Sequence, residues 1–375
     1  MATLRLTDEP TIPAASTTSS PEWAAEIPAN KRKHLRIWLW TGAILTASTL
    51  FIGGVTRLTE SGLSMVDWEP IIGAIPPLNH ADWVAAFARY QQFPEFMERR
   101  PDMTLGEFQV IFFWEYLHRN MGRLLGLVFA IPFIAFWLRG YLNGPLFRRA
   151  LLLFTLGGLQ GLMGWYMVTS GLVDQPDVSH LRLAAHLCLA VIIFSCCLWF
   201  ANDLLLRPAV AITTQWRTRL RNAIVWIGVL LGIQIFWGGL VAGLKAGLSY
   251  NTFPLMAGGW LPPGAWGMQP VLLNLIDNPG TVQWVHRLLA TVLLVVSVAL
   301  AIIVWRKPEL IEFRRWAVAV GSVIVFQYAL GVSTVLTSVQ IHVAISHQIV
   351  ALVAVGVLLT FLHRVLRTET RAPLE

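Results

Sequence analysis

Charge is scarce in this sequence. Asp, Glu, Lys and Arg make up 13% of its 375 residues against 55% hydrophobic residues, and the mean hydropathy is +0.60, which excludes an ordinary soluble domain. Cysteine is nearly absent: the three present, Cys188, Cys196 and Cys197, fall in one apolar stretch. An external disulfide framework is thereby excluded, the spacing does not suit a Cys-ligated metal, and packing is the expected role. The first 30 residues have no apolar core and carry Asp8, Glu9, Glu22 and Glu26, so neither a signal peptide nor an Arg-rich, acid-poor transit peptide is expected. A bacterial inner (plasma) membrane is the expected location.

What the sequence has in abundance is apolar runs of about 20 residues, the length that crosses a bilayer. Eight are expected, near 37–56, 111–137, 150–170, 181–201, 222–243, 281–305, 316–337 and 342–362. An even number puts both termini on one side, and basic residues decide which. Lys31, Arg32, Lys33 and Arg36, with Arg5, precede the first run; Arg148 and Arg149, Arg217 to Arg221, Arg314 and Arg315, and Arg364 and Arg367 flank others on that same side. The longer opposite loops hold only Arg57, Arg89, Arg99, Arg100 and Lys245. Both termini are expected in the cytoplasm. This bias accounts for the net charge of +7, so no nucleic-acid partner is expected.

The chain repeats itself. GGVTRLTESGLS (53–64) aligns without gaps to GGLVAGLKAGLS (238–249), 185 residues on, and EYLHR (115–119) aligns to QWVHR (283–287), 168 residues on. LQGLMG (159–164) matches FQYALG (326–331), and AAHL (184–187) matches ISHQ (345–348). The expected fold is an all-α polytopic membrane protein of two tandem, pseudo-symmetric four-helix bundles with the same orientation. The expected divisions are an N-terminal tail (1–36), a first bundle (37–201), a cytoplasmic linker (202–221), a second bundle (222–362) and a C-terminal tail (363–375). The offsets make the first outer loop 17 residues longer than its counterpart. Its surplus is expected to form short amphipathic helices at the outer surface, with Trp68, Trp83 and Trp260 as interfacial anchors.

The repeat sorts the nine histidines. His118, His186, His286 and His347 fall in the second, fourth, sixth and eighth runs, five to eight residues past each expected start, or roughly 8–12 Å below the outer edge. A lone membrane histidine is usually a packing residue; two per half at one depth are expected to be ligands, because intramembrane ionisable groups are costly. Two facing histidines suit axial haem ligation. Zinc or a di-iron centre needs more converging ligands than each half supplies. Gly122 and Gly126 lie below His118 on nearly its face, giving room for a planar ring, though they also suit helix packing. Arg119 and Arg287 follow their histidines directly and suit haem propionates; Arg123 occurs only in the first half. His34, His80, His180, His342 and His363 lack such support and are expected to be structural.

Glu115 aligns with Gln283 and shares a helix face with His118. One half therefore carries two histidines and an acid, the other two histidines and a neutral amide. The halves are expected to be specialised, one reacting and one carrying electrons.

The motifs GGVTRLTESGLSMVDWEPIIGAIPPLN, EYLHRNMGRLLGL, RLAAHL, AGLKAGLSYNTFPLMAGGWLPP, QWVHR and SHQ together resemble the haem A synthase family over about residues 36–363. The resemblance is to the branch shared by mitochondria and alphaproteobacteria, which lacks the external cysteine pair of another branch. It implies oxidation of a methyl group of haem O to a formyl group, making haem A for cytochrome oxidase. It implies His118 and His186 as ligands of the substrate haem, His286 and His347 as ligands of haem b, and Glu115 as the catalytic glutamate. The implied partners are haem O delivered by a haem O synthase, an electron donor the sequence does not identify, and membrane lipid; a homo-oligomer is compatible with it. A di-haem cytochrome b acting as electron carrier also suits four matched histidines, but leaves Glu115 without a role. A parallel-repeat transporter would need broken helices and mid-membrane charges, which the sequence does not show.

Overall fold

The computed structural model describes residues 21–67, 72–173, 176–208 and 210–371; Arg5, Asp8, Glu9 and Trp68 lie outside them. Among the described residues eight helices are long and apolar enough to cross a membrane, so the protein is an all-α polytopic membrane protein. The spans are Ala29–Leu58, Leu105–Leu138, Pro145–Thr169, His180–Asp203, Thr214–Gly243, Pro279–Arg306, Arg314–Leu336 and Ile341–Leu366, called first to eighth below.

Most run past the expected apolar windows, because their charged ends still form helix outside the hydrocarbon layer. The second span shows this best. Thr104 and Glu107 form a reciprocal capping box that starts the helix at Leu105, satisfying two orphan backbone groups. His118 is therefore the fourteenth residue of its helix, whereas His186 and His347 are seventh in theirs and His286 is eighth. The extra turns are covered by the outer helix His80–Tyr90 and the turn Glu95–Arg99, which pack on Phe108, Ile111 and Phe112. The expected amphipathic surplus, read over residues 81–108, is thus present, except that Leu105–Phe108 belong to the membrane span. Trp83 packs edge-on against Phe112 at 5.0 Å rather than standing as an anchor; Trp260 is 75% exposed.

The first span packs on the second and fourth, and the fourth on the third. The fifth packs on the sixth and eighth, and the seventh on the sixth and eighth. Fourth against fifth, and eighth against first and fourth, join the two sets. One apolar core is built from the first four spans, around Trp38, Phe133 and Cys197, and another from the last four, around Ile224, Leu300 and Phe361.

The two sets differ in how their helices pack. The sixth and seventh spans pack closely, whereas the second and third scarcely touch. Among the described residues, nothing lies within 4 Å of where a Cβ would stand on Gly122, Gly126, Gly157, Gly158 or Gly161. The repeat aligns these with Ala290, Leu294, Ile324, Val325 and Tyr328. Ile324 is buried, and Tyr328 Oη is 3.2 Å from Thr291 Oγ1, joining the seventh span to the sixth. Side chains that fill one flank are missing from the other.

At the C-terminal ends of the fourth and eighth spans Asp203, fully buried, accepts from His363 Nε2 and Arg367 Nη2, both at 2.9 Å, and faces Arg149 Nη2 at 3.7 Å. A buried carboxylate persists only when so paired, and this one ties the fourth span to the eighth. The parallel pair of strands Ala211–Thr213 and Glu369–Arg371 closes the same end. His363 and His180, the latter 2.9 Å from Asp277, have the structural placement expected of them.

Candidate functional site

Each of the four repeat-matched histidines sits against a glycine of a neighbouring span. A Cβ on Gly53 would stand 2.6 Å from His118 Cε1, and on Gly238 3.3 Å from His286 Cε1. On Gly164 and Gly331 it would stand 3.0 Å from Cε1 of His186 and His347 respectively. Only glycine allows a backbone to come this close to a ring. Gly53 and Gly238 are repeat equivalents, as are Gly164 and Gly331.

Glutamines complete the seats. Gln160 Nε2 donates to the His186 carbonyl at 3.2 Å and lies 3.4 Å from its Nε2. Gln327 does the same at His347, at 2.9 and 3.4 Å, and Gln234 Nε2 is 3.1 Å from His286 Nδ1. The repeat displayed Gln160 and Gln327 as a matched pair; the third had no such signal, because its equivalent is Thr49.

His118 and His186 lie on the second and fourth spans, and His286 and His347 on the sixth and eighth. Nδ1 of His118, His186 and His347 is buried without a hydrogen-bond partner among the described residues. Among the described residues no group of three or more His, Cys, Asp or Glu could hold a metal ion; each half offers instead two buried imidazoles, the donor set that a planar iron macrocycle with two axial nitrogens uses.

Glu115 is 2% exposed. Its Oε2 accepts from Ser64 Oγ at 2.8 Å and from the Met65 amide at 2.7 Å, while Oε1 accepts from Arg119 Nη2 at 2.5 Å. Arg119 also donates to the carbonyls of Met65 and Asp67, at 2.5 and 2.9 Å. The second half repeats this clamp: Arg287 donates to the carbonyls of Tyr250 and Thr252, both at 2.8 Å. Tyr250 and Thr252 are the equivalents of Met65 and Asp67. Both arginines therefore tie the loop after the preceding span to the histidine helix, a role sequence reasoning missed because backbone acceptors carry no side-chain signature. Gln283, 2% exposed, takes the Glu115 position and donates to the Tyr250 carbonyl at 3.1 Å.

Above Glu115 a cavity of about 270 Å³ opens outward, bordered by Ser64, Met65, Asp67, Arg89, Phe108 and Phe112. Ser64 and Met65 therefore touch the carboxyl on one side and the cavity on the other. At roughly 30 Å³ per water the cavity can bring several waters to the residues that bind the acid. Arg123 Nη1 donates to Asn120 Oδ1 at 2.9 Å.

These features define a multi-pass membrane protein whose two repeats each carry an embedded histidine pair and only one of which carries an acid. The sequence model of the COX15-CtaA family, described as cytochrome oxidase assembly protein, matches residues 36–359, and the chain belongs to that family. A Heme A synthase of Rhodospirillum centenum is 44% identical over 356 residues, covering 95% of this chain and 93% of that protein. A Heme A synthase of Chelativorans sp. is 44% identical over 329 residues, covering 87% and 89%, and one of Brucella ovis is 42% identical over 329 residues, covering 87% and 90%.

Proposed function

We propose that the chain is a membrane-bound oxidoreductase of the bacterial inner membrane that oxidises a methyl group of haem O to a formyl group, supplying haem A to cytochrome oxidase. The family membership and the likeness to Heme A synthases over most of the chain support the reaction. The observation that carries the division of labour is the contrast between the halves: Glu115 beside an open, glycine-faced flank, against Gln283 beside a filled one. In this reading the chain folds as two tandem four-helix bundles, 37–201 and 222–362. The linker 202–221 and the tails 1–36 and 363–375 face the cytoplasm.

His118 and His186 hold the iron of the substrate haem, which arrives through the bilayer between the second and third spans, brought there by a haem O synthase. Their glycine seats fix the ring planes, so the reacting methyl group meets Glu115 in one orientation. Glu115 accepts or returns a proton at Oε2, where Ser64 Oγ and the Met65 amide orient it. Those two residues also border the outer cavity, through which water and protons exchange. Arg119 and Arg287 close the outer edges of the two sites and are assigned the propionate side of each; Arg287 Nε is buried without a partner among the described residues and is a donor for such a carboxylate. His286 and His347 would hold haem b. Bound there, haem b would supply one-electron redox chemistry, passing the electrons that the methyl group gives up to an external redox partner.

The test is expression with and without a haem O synthase, followed by extraction of the haems and identification by mass. Haem A or its hydroxylated precursor should form only with haem O supply, and Glu115→Gln should abolish it while the protein remains folded. Two stable haem b per chain with no conversion under either condition would replace this reading with that of an electron carrier.

A further inference from the structure

Two glycine pairs sit where the two sets of spans meet. Gly53 and Gly54 of the first span have Gly238 and Gly239 of the fifth as their repeat equivalents. The first member of each pair seats a histidine of its own half, His118 or His286, and the second faces the other half. A Cβ on Gly239 would stand 2.8 Å from Ala184 Cα and 3.5 Å from Leu187 Cδ2, on the fourth span. On Gly54 it would stand 2.5 Å from Gln348 Oε1 and 3.0 Å from Gln348 Cδ and Nε2, on the eighth span. Leu187 follows His186, Gln348 follows His347, and the repeat aligns the two. Each half therefore lays the residue after one of its histidines on the glycine beside a histidine seat of the other.

The two crossings differ in chemistry. Between the fourth and fifth spans the contact is made by backbone and apolar atoms of Ala184 and Leu187. Between the eighth and first it is made by an amide. Gln348 Nε2 donates to the Leu50 carbonyl at 2.6 Å, about one helical turn before Gly54. An amide donor in an apolar layer is costly to leave unpaired, so this bond is held. A side chain at position 54 would displace the amide, and glycine leaves it room. Contacts thus run without a break from His347 through its neighbour Gln348 to the turn Leu50 to Gly54, and from Gly53 to the His118 ring.

We propose that Gln348 is a positioning residue through which the eighth span, carrying His347, fixes the seat of His118 in the opposite half. The proposal rests on the haem assignments made under the proposed function. His347 and Gln348 are consecutive residues of one helix, so a ligand that orders the first orders the second. The bond to Leu50 then sets the height and rotation of the turn that ends at Gly53 and Gly54. That turn in turn sets the plane of the His118 ring, since the groups around a ligating imidazole fix its orientation. The opposite crossing has no such bond and rests on packing alone. The half that would keep its haem therefore aligns the half that would exchange it.

Electron paramagnetic resonance of the ferric full chain, loaded by expression with a haem O synthase, tests this without turnover, because low-spin signals follow the angle between two axial imidazoles. His118→Ala and His347→Ala assign the signals by the one that each removes. Gln348→Met keeps the volume and loses the donor, and should move the signal assigned to His118 with haem b content kept. Gly54→Ala presses on the same amide from the other side and should move the same signal. Combined with Gln348→Ala it should add nothing to Gln348→Ala alone, the methyl then having room; if Gln348→Met fails to fold, this comparison decides. An unmoved His118 signal, or Gly54→Ala and Gln348→Ala effects that simply add, overturns the proposal. A lowered melting temperature with both signals in place marks packing only and also overturns it. If His118→Ala removes no signal, the ligand assignment itself has failed, an outcome distinct from a signal that His118→Ala removes and Gln348→Met leaves in place.

Discussion

Lys245 Nζ lies 2.6 Å from Glu60 Oε1, and the two residues occupy the same position of the two repeats, 185 residues apart. Both hold left-handed backbone, at φ of 52° and 51°. In the proposed two-bundle arrangement a residue can meet its own equivalent only beside the axis relating the copies, so this pair marks the axis at the outer face. Duplication there would have set like against like; the chain has opposite charges instead, with Asp177 at 3.5 Å from Lys245 and Arg100 at 3.6 Å from Glu60.

Exchanging this pair should cost less than breaking it. Glu60→Lys and Lys245→Glu should each lower the melting temperature in detergent, and the double exchange should recover part of the loss. Side chains 45% and 38% exposed limit the coupling to about 0.2–1 kcal/mol, less in high salt. The hydrogen bond from Lys245 holds Glu60 below the usual carboxylate range. The contribution is therefore present above that range and lost as pH falls through the depressed value. Coupling that persists in molar salt would contradict a screened surface pair.

The same substitution at two equivalent glycines should have unequal effects. An added methyl at Gly53 would stand 2.6 Å from the His118 ring, and at Gly238 3.3 Å from the His286 ring. Gly53→Ala must displace the imidazole and should reduce haem A formation about tenfold or more. Gly238→Ala needs a shift of a few tenths of an ångström and should leave bound haem b near the parent level. Extracted haem, quantified for both variants, decides; equal losses would mean that the ring seats are not what fixes the histidines.

Asp203 joins the two sets of spans through a buried carboxylate. Asp203→Ala leaves His363 and Arg367 without their acceptor and should destabilise by about 3–5 kcal/mol, read as thermal unfolding in detergent. A loss under about 1 kcal/mol would mean that the cluster is solvated and contributes like a surface pair.

Glu95 gives stability a pH dependence opposite in sign to that of Glu60. In the unfolded chain it ionises from about 4.5, whereas in the fold it keeps its proton to about 7. The unfolded state binds fewer protons across that interval, so stability declines as pH rises through it and is level above. The full difference is at most about 3 kcal/mol. Glu95→Gln should flatten this decline and raise the melting temperature at pH 8 relative to the parent, with no change at pH 4.

The eight spans, the paired histidines and the asymmetry of Glu115 and Gln283 were legible in the sequence, because hydropathy, repeat spacing and residue type each leave a mark there. The early start of the second span was half legible: the Thr104–Glu107 box is a sequence signal, but it lies outside the apolar window. The grip of Arg119 and Arg287 on loop carbonyls was not legible, since the acceptors are backbone atoms and any residue supplies them. Nor was the pairing of Asp203 with His363, 160 residues apart, which depends on how two helix ends meet.

The gap between the second and third spans bears on time as well as space. A closed sleeve of side chains, as around the sixth and seventh spans, favours a slow off-rate, which suits a group that stays for the life of the protein. A flank without side chains shortens residence. In the proposed function the haem that occupies it has to leave for the oxidase once altered, and a site that held it as firmly as its neighbour would hold haem b would stop after one round.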